Sequence, residues 1–378
     1  MTTAKESNGG SSQLLKASKA RAGEASAECG QGHEGVKLMS WVLVVPFLKN
    51  VQHDWIHGYI QDPAIRFEAV LADYDHDRSR QATSASQWLD YLRHAARAWF
   101  SVPFWRRGVG FITCFPQLPV MVGLLKRLTF SRRPLIAWMF NLGRTYGGAK
   151  GVLARFGLKS VNLFIVHSRA EIDSYSEWLG LPRERFIFVP LSIEMLPVTE
   201  QEDISEPFVF AMGSANRDYK LLFDTLHRLG HRAVVVAGPH AVQGLYVPPN
   251  VTVKSGLTLA ECHRLCQRAR VNVVPVDNEV TASGQVTLLE TMMYGKAVVA
   301  TRCVGTDDYV EEGVTALTVP AGDGHALAQS IDLLWNDEER RRQLGAAAFR
   351  YVREQVSFRG VSGQMHEAIR RAMSARGA

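Results

Sequence analysis

Cysteine is scarce in this chain: five residues in 378, odd in number and widely spread. That excludes a disulfide-stapled scaffold and fits a reducing, cytoplasmic setting. No unbroken apolar run is long enough for a bilayer. The longest, Gly108–Leu125, is interrupted by Pro116, Gln117 and Pro119, so no transmembrane helix is expected. Large apolar side chains are nearly missing from residues 1–36, which are mostly Gly, Ser, Ala, Lys and Glu. Such a segment buries too little surface to offset the entropy of ordering, and it lacks the apolar centre of an export signal. It reads as a disordered leader. Acidic residues are absent between Asp90 and Glu171, where thirteen Lys and Arg fall. The whole chain, with 43 basic and 37 acidic residues, is nonetheless only mildly cationic at +6. That is not the charge density of a dedicated nucleic-acid binder, and no nucleic-acid module is recognisable.

What is present is ordinary globular material, 46% hydrophobic and long enough for two domains. Residues 37–195 carry twenty basic and twelve acidic side chains, whereas 196–378 carry nineteen and twenty-one. The change of sign falls at Ser192–Pro207, where Pro197, Pro207 and the acids Glu200, Glu202, Asp203 and Glu206 read as an interdomain linker. On both sides, short apolar runs alternate with amphipathic helical patterns. Examples are the strands Phe208–Met212, Ala233–Ala237 and Val271–Val276 and the helices Tyr219–Leu229 and Leu259–Arg268. This is the α/β signature of two doubly wound, Rossmann-like units facing each other across a cleft. The expected divisions are a leader at 1–36, an N-terminal domain at 37–195, a C-terminal domain at 208–356 and a basic helix at 357–378.

The densest chemical signal is Asn278–Gly295, NEVTASGQVTLLETMMYG. A buried strand ends at Val276, small residues follow, and a helix begins near Gln285. The free N–H groups and dipole of a helix start favour a phosphate-type anion, and Gly284 allows it close to the backbone. Glu290 stands about 9 Å further along the helix at 1.5 Å per residue, an offset that suits a carboxylate bonding a ribose hydroxyl. The competing reading is that Thr287 and Glu290 form a capping box, which would start the helix later. Residue types alone leave both open. Cys262, His263 and Cys266 are one helical turn apart but lack a second ligand pair, so no metal site is assigned.

The stretches Ser283–Thr301 (SGQVTLLETMMYGKAVVAT) and Gly305–Asp323 (GTDDYVEEGVTALTVPAGD) resemble the retaining, nucleotide-sugar-dependent glycosyltransferases of family 4, or group 1, with the GT-B fold. Glu290, Met292, Gly295 and Lys296 match the second Glu of the family's paired-glutamate motif and its surroundings. Ala282 stands where the family has the first Glu, and Glu279 is the nearest acid. A second resemblance is Phe208–Leu222, FVFAMGSANRDYKLL, where Arg217 occupies the position of a diphosphate-clamping lysine and Lys220 follows; Ser214 replaces an expected Arg after Gly213. The resemblance implies a hexosyl transfer with retention, with no metal and no cofactor beyond the nucleotide diphosphate sugar. It assigns Gly213, Arg217, Lys220, Ser283, Gly284, Gln285, Val286, Thr287 and Glu290 to the donor, and Arg217, His53 and Glu279 to catalysis. His53 and Asp54 follow the first strand, where acceptor-domain residues enter the cleft. Gly143–Lys150, GRTYGGAK, is read as a turn.

The function expected is therefore sugar transfer to an acceptor hydroxyl in cell-surface polysaccharide or glycolipid assembly. A non-catalytic nucleotide-sugar-binding subunit, or a phosphorylase or epimerase on the same fold, are the alternatives. The basic, aromatic stretch Tyr91–Ala170 predicts a peripheral position on an anionic membrane surface at its inner face, with a lipid-linked or polysaccharide acceptor.

Overall fold

The computed structural model describes residues 38–50, 55–75, 84–142, 145, 147–280 and 282–374. The leader, His53, Asp54 and part of GRTYGGAK lie outside the described residues.

The first sheet is formed by β1 (Met39–Val44), β2 (Ile65–Val70), β3 (Val109–Cys114), β4 (Leu135–Trp138), β5 (Leu163–Val166) and β6 (Phe186–Phe188), in the order β2-β1-β3-β4-β5-β6. Its neighbours are all parallel. The central strands are buried at every position, as parallel strands covered on both faces must be. Helices α1 (Ala85–Phe100), α2 (Gln117–Leu128), α3 (Gly148–Leu158) and α4 (Ala170–Leu179) connect them. Ser84 starts α1 with a capping box to Gln87, which satisfies two otherwise unpaired N–H groups. The apolar run Gly108–Leu125 is thus β3 and the first two turns of α2, parted at Phe115–Pro116.

The second sheet contains β7 (Val209–Met212), β8 (Ala233–Val236), β9 (Val251–Lys254), β10 (Val271–Val274), β11 (Val298–Thr301) and β12 (Leu317–Val319). Their order is β12-β11-β10-β7-β8-β9, again wholly parallel. Helices α5 (Tyr219–Leu229), α6 (Leu259–Arg268), α7 (Gln285–Met292), α8 (Gly324–Asn336) and α9 (Glu338–Tyr351) cover its faces. Apolar clusters fill both faces of each sheet.

The chain then returns. Ile193 N–H donates to Val356 O (3.0 Å) and Phe358 N–H to Ile193 O (3.1 Å), so the outgoing and returning segments run side by side. The last helix, α10 (Phe358–Ser374), buries Val361, Met365, Ala368, Ile369 and Ala372 in the same cluster as Trp41, Leu43 and Ile112. His366 Nε2 meets Asp62 Oδ2 at 2.6 Å, which helps hold the Asp62 carboxyl below its usual range. The acidic segment before β7 is bound to its own sheet and is no loose tether. Glu202 Oε1 is 2.8 Å from Arg270 Nε, and Arg341 and Lys296 stand at 3.6 and 3.9 Å from its carboxylate. Asp203 pairs with Arg268 at 2.6 Å.

The basic stretch is also resolved into roles. Trp99, Phe111, Phe115, Trp138 and Phe140 are core. Lys126 donates to Ser160 O and Asn162 Oδ1, both at 2.7 Å, and Arg106 pairs with Glu68. Within the stretch expected at a membrane surface, Gly108–Leu125 packs most of its apolar side chains on the sheet. Among the described residues no helix is long and apolar enough to cross a membrane.

Candidate active site

In the second sheet the connections leave β7 and β10, which are neighbours, in opposite directions. A doubly wound sheet opens a crevice at such a reversal, beyond the carboxyl ends of the strands. The two loops bounding it are joined. Arg217 and Val276 form an antiparallel bridge, Asp218 N–H donates to Pro275 O (3.2 Å), and Asp277 N–H to Asn216 O (3.2 Å). Asn216 Nδ2 also donates to Ser283 Oγ at 2.7 Å. Asn216 has φ 53°, a left-handed conformation that asparagine tolerates better than most residues.

Arg217 lies folded over Gly213. A Cβ on Gly213 would sit 2.8 Å from Arg217 Nη2, so only glycine leaves room for the guanidinium. Arg217 Nη1 donates to Ala215 O (2.8 Å) and Nη2 to Thr287 Oγ1 (3.1 Å). Burial pulls its pKa below the ordinary value, yet a guanidinium stays charged at any physiological pH. Among the described residues Arg217 forms no salt bridge. Its guanidinium is fixed by neutral oxygens, with Asp277 acting on it without a salt bridge, an arrangement chemically able to accept an anion.

Helix α7 begins beside it. Gly284 is the N-cap with φ 83°, and an added Cβ would press on Val274 and Val276 at 3.0 and 3.1 Å. The N–H groups of Gln285, Val286 and Thr287 precede the first intrahelical bond, Leu288 N–H to Gly284 O (2.9 Å). Thr287 is inside the helix, its hydroxyl facing Arg217. The capping-box reading of Thr287 and Glu290 is thus overturned by where the helix starts. Glu290 is mostly buried between α7 and α6, its Oε1 3.5 Å from His263 Nε2, and His263 Nδ1 shares a 3.0 Å hydrogen bond with Tyr294 OH.

The other expected residues divide. Ser283 accepts from Asn216, and its backbone is so close to Gly305 that a Cβ there would lie 2.1 Å from Ser283 O. Val286 is partly exposed at the helix start. Gln285 is buried, and its side chain reaches the first domain, donating to His167 O at 2.9 Å. Its side chain is therefore a domain tie, and only its backbone N–H remains for a ligand. Lys220 forms an exposed ion pair with Asp224 (2.7 Å), one turn along α5. Glu279 is exposed on the loop rim, its carbonyl accepting from Val304 N–H (2.9 Å). Ala282 O accepts from Asn141 Nδ2 of the first domain at 3.3 Å.

Sequence reasoning missed Asn216 and the seam formed by Asp308 and Tyr309. Asp308 accepts from Arg169 N–H (2.8 Å), Arg169 Nη1 (2.7 Å) and Ser168 Oγ (3.2 Å). Tyr309 OH donates to His167 O (2.6 Å) and accepts from Leu191 N–H (2.9 Å). Across this seam Glu171 is buried, with Oε2 lacking a hydrogen-bond partner, and burial raises its carboxyl to about 7 despite a hydrogen bond from Tyr175. No group of three or more His, Cys, Asp or Glu that could hold a metal occurs among the described residues. Cys262 and Cys266 are buried, and burial pushes the Cys266 thiol up to about 12.

Comparison with known proteins places this arrangement. Residues 206–337 match the family described as Glycosyl transferases group 1. No curated protein matches the chain. Sucrose-phosphate synthase from Thermosynechococcus elongatus superposes with a TM-score of 0.63 at 16% identity, over 89% of this chain and 100% of that one. HepE from Anabaena, solved with UDP and glucose, gives 0.59 at 15% identity, over 81% and 86%. The lipopolysaccharide outer core galactosyltransferase WaaB gives 0.58 at 10% identity, over 88% and 99%. The chain thus has the two-domain GT-B architecture, and its second domain carries the group 1 glycosyltransferase match.

Proposed function

We propose that this chain is a cytoplasmic glycosyltransferase that moves a hexosyl group from a nucleotide diphosphate sugar to an acceptor hydroxyl with retention of configuration. The observation that carries this reading is Arg217, a positioned cation that forms no salt bridge among the described residues, beside the open start of α7, the helix that carries Glu290. In it the donor diphosphate bridges Arg217 and the N–H groups of Gln285, Val286 and Thr287, and Glu290 bonds the ribose. The bond from the sugar to the diphosphate breaks as the bond to the acceptor oxygen forms. The departing phosphate oxygen takes the acceptor's proton, so no separate base is required. Arg217 and the helix start stabilise the charge that develops on the leaving group. That HepE is solved with UDP and glucose makes a uridine diphosphate sugar the first donor to try. A hydroxyl of a polysaccharide or a lipid-linked saccharide is the acceptor class proposed.

The test is turnover of uridine, guanosine and adenosine diphosphate sugars with a panel of saccharide acceptors, the product's anomeric configuration being read by NMR. A product of inverted configuration overturns retention, and absence of both binding and turnover overturns the reading. A second reading is favoured by Ala282, whose side chain offers no carboxylate at the cleft while Glu279 lies exposed on the rim. It is a nucleotide-sugar-binding subunit without catalysis, and tight donor binding with no turnover on any acceptor selects it.

A further inference from the structure

Two loops of the first domain carry large apolar side chains into solvent. Between α1 and β3, Phe100, Phe104 and Trp105 are 70%, 89% and 70% exposed. Between α2 and β4, Leu128 and Phe130 are 70% and 92% exposed. The loops are fastened together by Arg133, which donates to Val102 O (3.4 Å) and Pro103 O (2.6 Å) and lies over Trp99. Phe104 and Trp105 meet edge to face at 4.8 Å. Next to Leu128, Arg127 stacks on the half-exposed Phe156 of α3, 4.7 Å from its ring centre.

Phe130 is also strained. It ends α2 with φ 51°, held by Ser131 N–H donating to Lys126 O at 2.9 Å. Helices usually close in this left-handed conformation with glycine, because a side chain there is disfavoured. A bulky aromatic in that position, almost fully exposed, gains nothing from the fold. The charges beside it have one sign. Arg107 and Arg132 are exposed and form no ion pair among the described residues, and no acid lies between Asp90 and Glu171 in sequence. Glu68 of β2, an acid from another element, is taken by Arg106 (3.0 Å) and Ser40.

We propose that this face docks on an anionic lipid bilayer, with the Phe104–Trp105 and Leu128–Phe130 tips at headgroup level and Arg107 and Arg132 against the lipid charge. Protruding rings ringed by unpaired arginines match what an anionic interface selects: amphipathic aromatics at its depth and cations above it. A protein partner large enough to bury these tips would need acids opposite the arginines, and this chain has none on that face to offer a second copy. The proposal goes beyond glycosyl transfer and stands independently of it. The tips lie at the N-terminal ends of β3 and β4, whereas the crevice lies beyond the C-terminal ends of strands. A six-residue strand spans about 20 Å, so the cleft would be held away from the bilayer, in reach of an already extended lipid-linked chain rather than of a headgroup.

The experiment is co-sedimentation and tryptophan fluorescence with phosphatidylcholine vesicles, with and without phosphatidylglycerol, at low salt. Trp105 is far more exposed than Trp41, Trp55, Trp99 or Trp138, so its insertion should shift emission to the blue and brominated lipid should quench it. Wild type is expected to bind only the anionic vesicles. A triple variant, Phe104→Ser, Trp105→Ser and Phe130→Ser, should lose at least tenfold in partitioning with an unchanged melting temperature and donor affinity. Trp105→Phe should keep binding and lose the shift. Wild type remaining in the supernatant overturns the proposal, as does undiminished binding of the triple variant. A concentration-dependent dimer abolished by the triple variant, without vesicle binding, also overturns it and makes a second copy the occupant.

Discussion

Both sheets are six-stranded and wholly parallel, yet their strand orders place the reversal in different chemical company. In the first sheet the reversal lies between β1 and β3, and the loop after β3 is Phe115–Pro116, running straight into α2. Phe115 meets Phe47, Phe47 meets Trp55, and Trp55 meets Trp138, at ring-centre distances of 6.2, 5.7 and 6.2 Å. In the second sheet the reversal between β7 and β10 has Gly213, Gly284 and a fixed guanidinium. Among the described residues the first crevice is lined by these aromatic rings; the second has close-approach glycines and the guanidinium of Arg217. One fold plan, used twice, brings a fixed guanidinium and an open helix start together only where glycine lets the backbone and Arg217 approach, and there the proposed anion seat lies.

The comparison can be broken most severely at Arg217. Arg217→Ala should lower turnover by about 10²–10³-fold, the usual cost of losing one donor to a developing oxyanion, with a smaller rise in KM. Steady-state kinetics check this, and an effect confined to KM would reduce Arg217 to a ground-state binding residue. Arg217→Lys should recover part of the loss, because an ammonium cannot reproduce the fork geometry.

The next effect lies at the seam between the two regions. Burial raises the Glu171 carboxyl from its ordinary 4.5 to about 7, with a smaller contribution from Asp308 across the seam. Between these values the folded chain holds a proton that the unfolded chain has released. Stability should therefore fall as pH rises through that window and level off above it, by about 3 kcal/mol in all. Glu171→Gln keeps an oxygen for Tyr175 and removes the charge. Denaturant melts should find the variant more stable than wild type at pH 8 and little changed at pH 4.5. An equal difference at both pH values would mean that Glu171 does not titrate there.

The smallest effect sharpens the donor side. Glu290→Gln should weaken donor binding by about 1–3 kcal/mol, the loss of a charge-assisted hydrogen bond. Calorimetric titration with the matching nucleoside diphosphate sugar measures it. Unchanged affinity with a lowered melting temperature would make the Glu290–His263 contact purely structural.

Legibility in the sequence followed the range of the interaction. The strands and helices were readable because their signals are local: Tyr219–Leu229 and Leu259–Arg268 form helices over the spans their periodicity predicts. The proposed anion-binding loop is legible because close approach to a helix start requires glycine and small residues in a short stretch. The Lys220–Asp224 pair is equally local, an i,i+4 contact on an exposed helix face. The aromatic stretch divides for a related reason. Alternating aromatics and arginines look alike whether they pack, as Trp99 and Arg133 do, or protrude, as Trp105 and Arg107 do. Asp308 and Arg169, 139 residues apart, carried no local signal at all.

The central claim is that the crevice between β7 and β10 seats a diphosphate on Arg217 and the start of α7. Its most direct test is calorimetric titration of wild type and Arg217→Ala with a nucleoside, its monophosphate and its diphosphate. Wild type should gain affinity with each phosphate, and the variant should lose most of the gain from the diphosphate while binding the nucleoside as before. Equal affinity of wild type and variant for the diphosphate, or no gain from nucleoside to diphosphate in wild type, would contradict it.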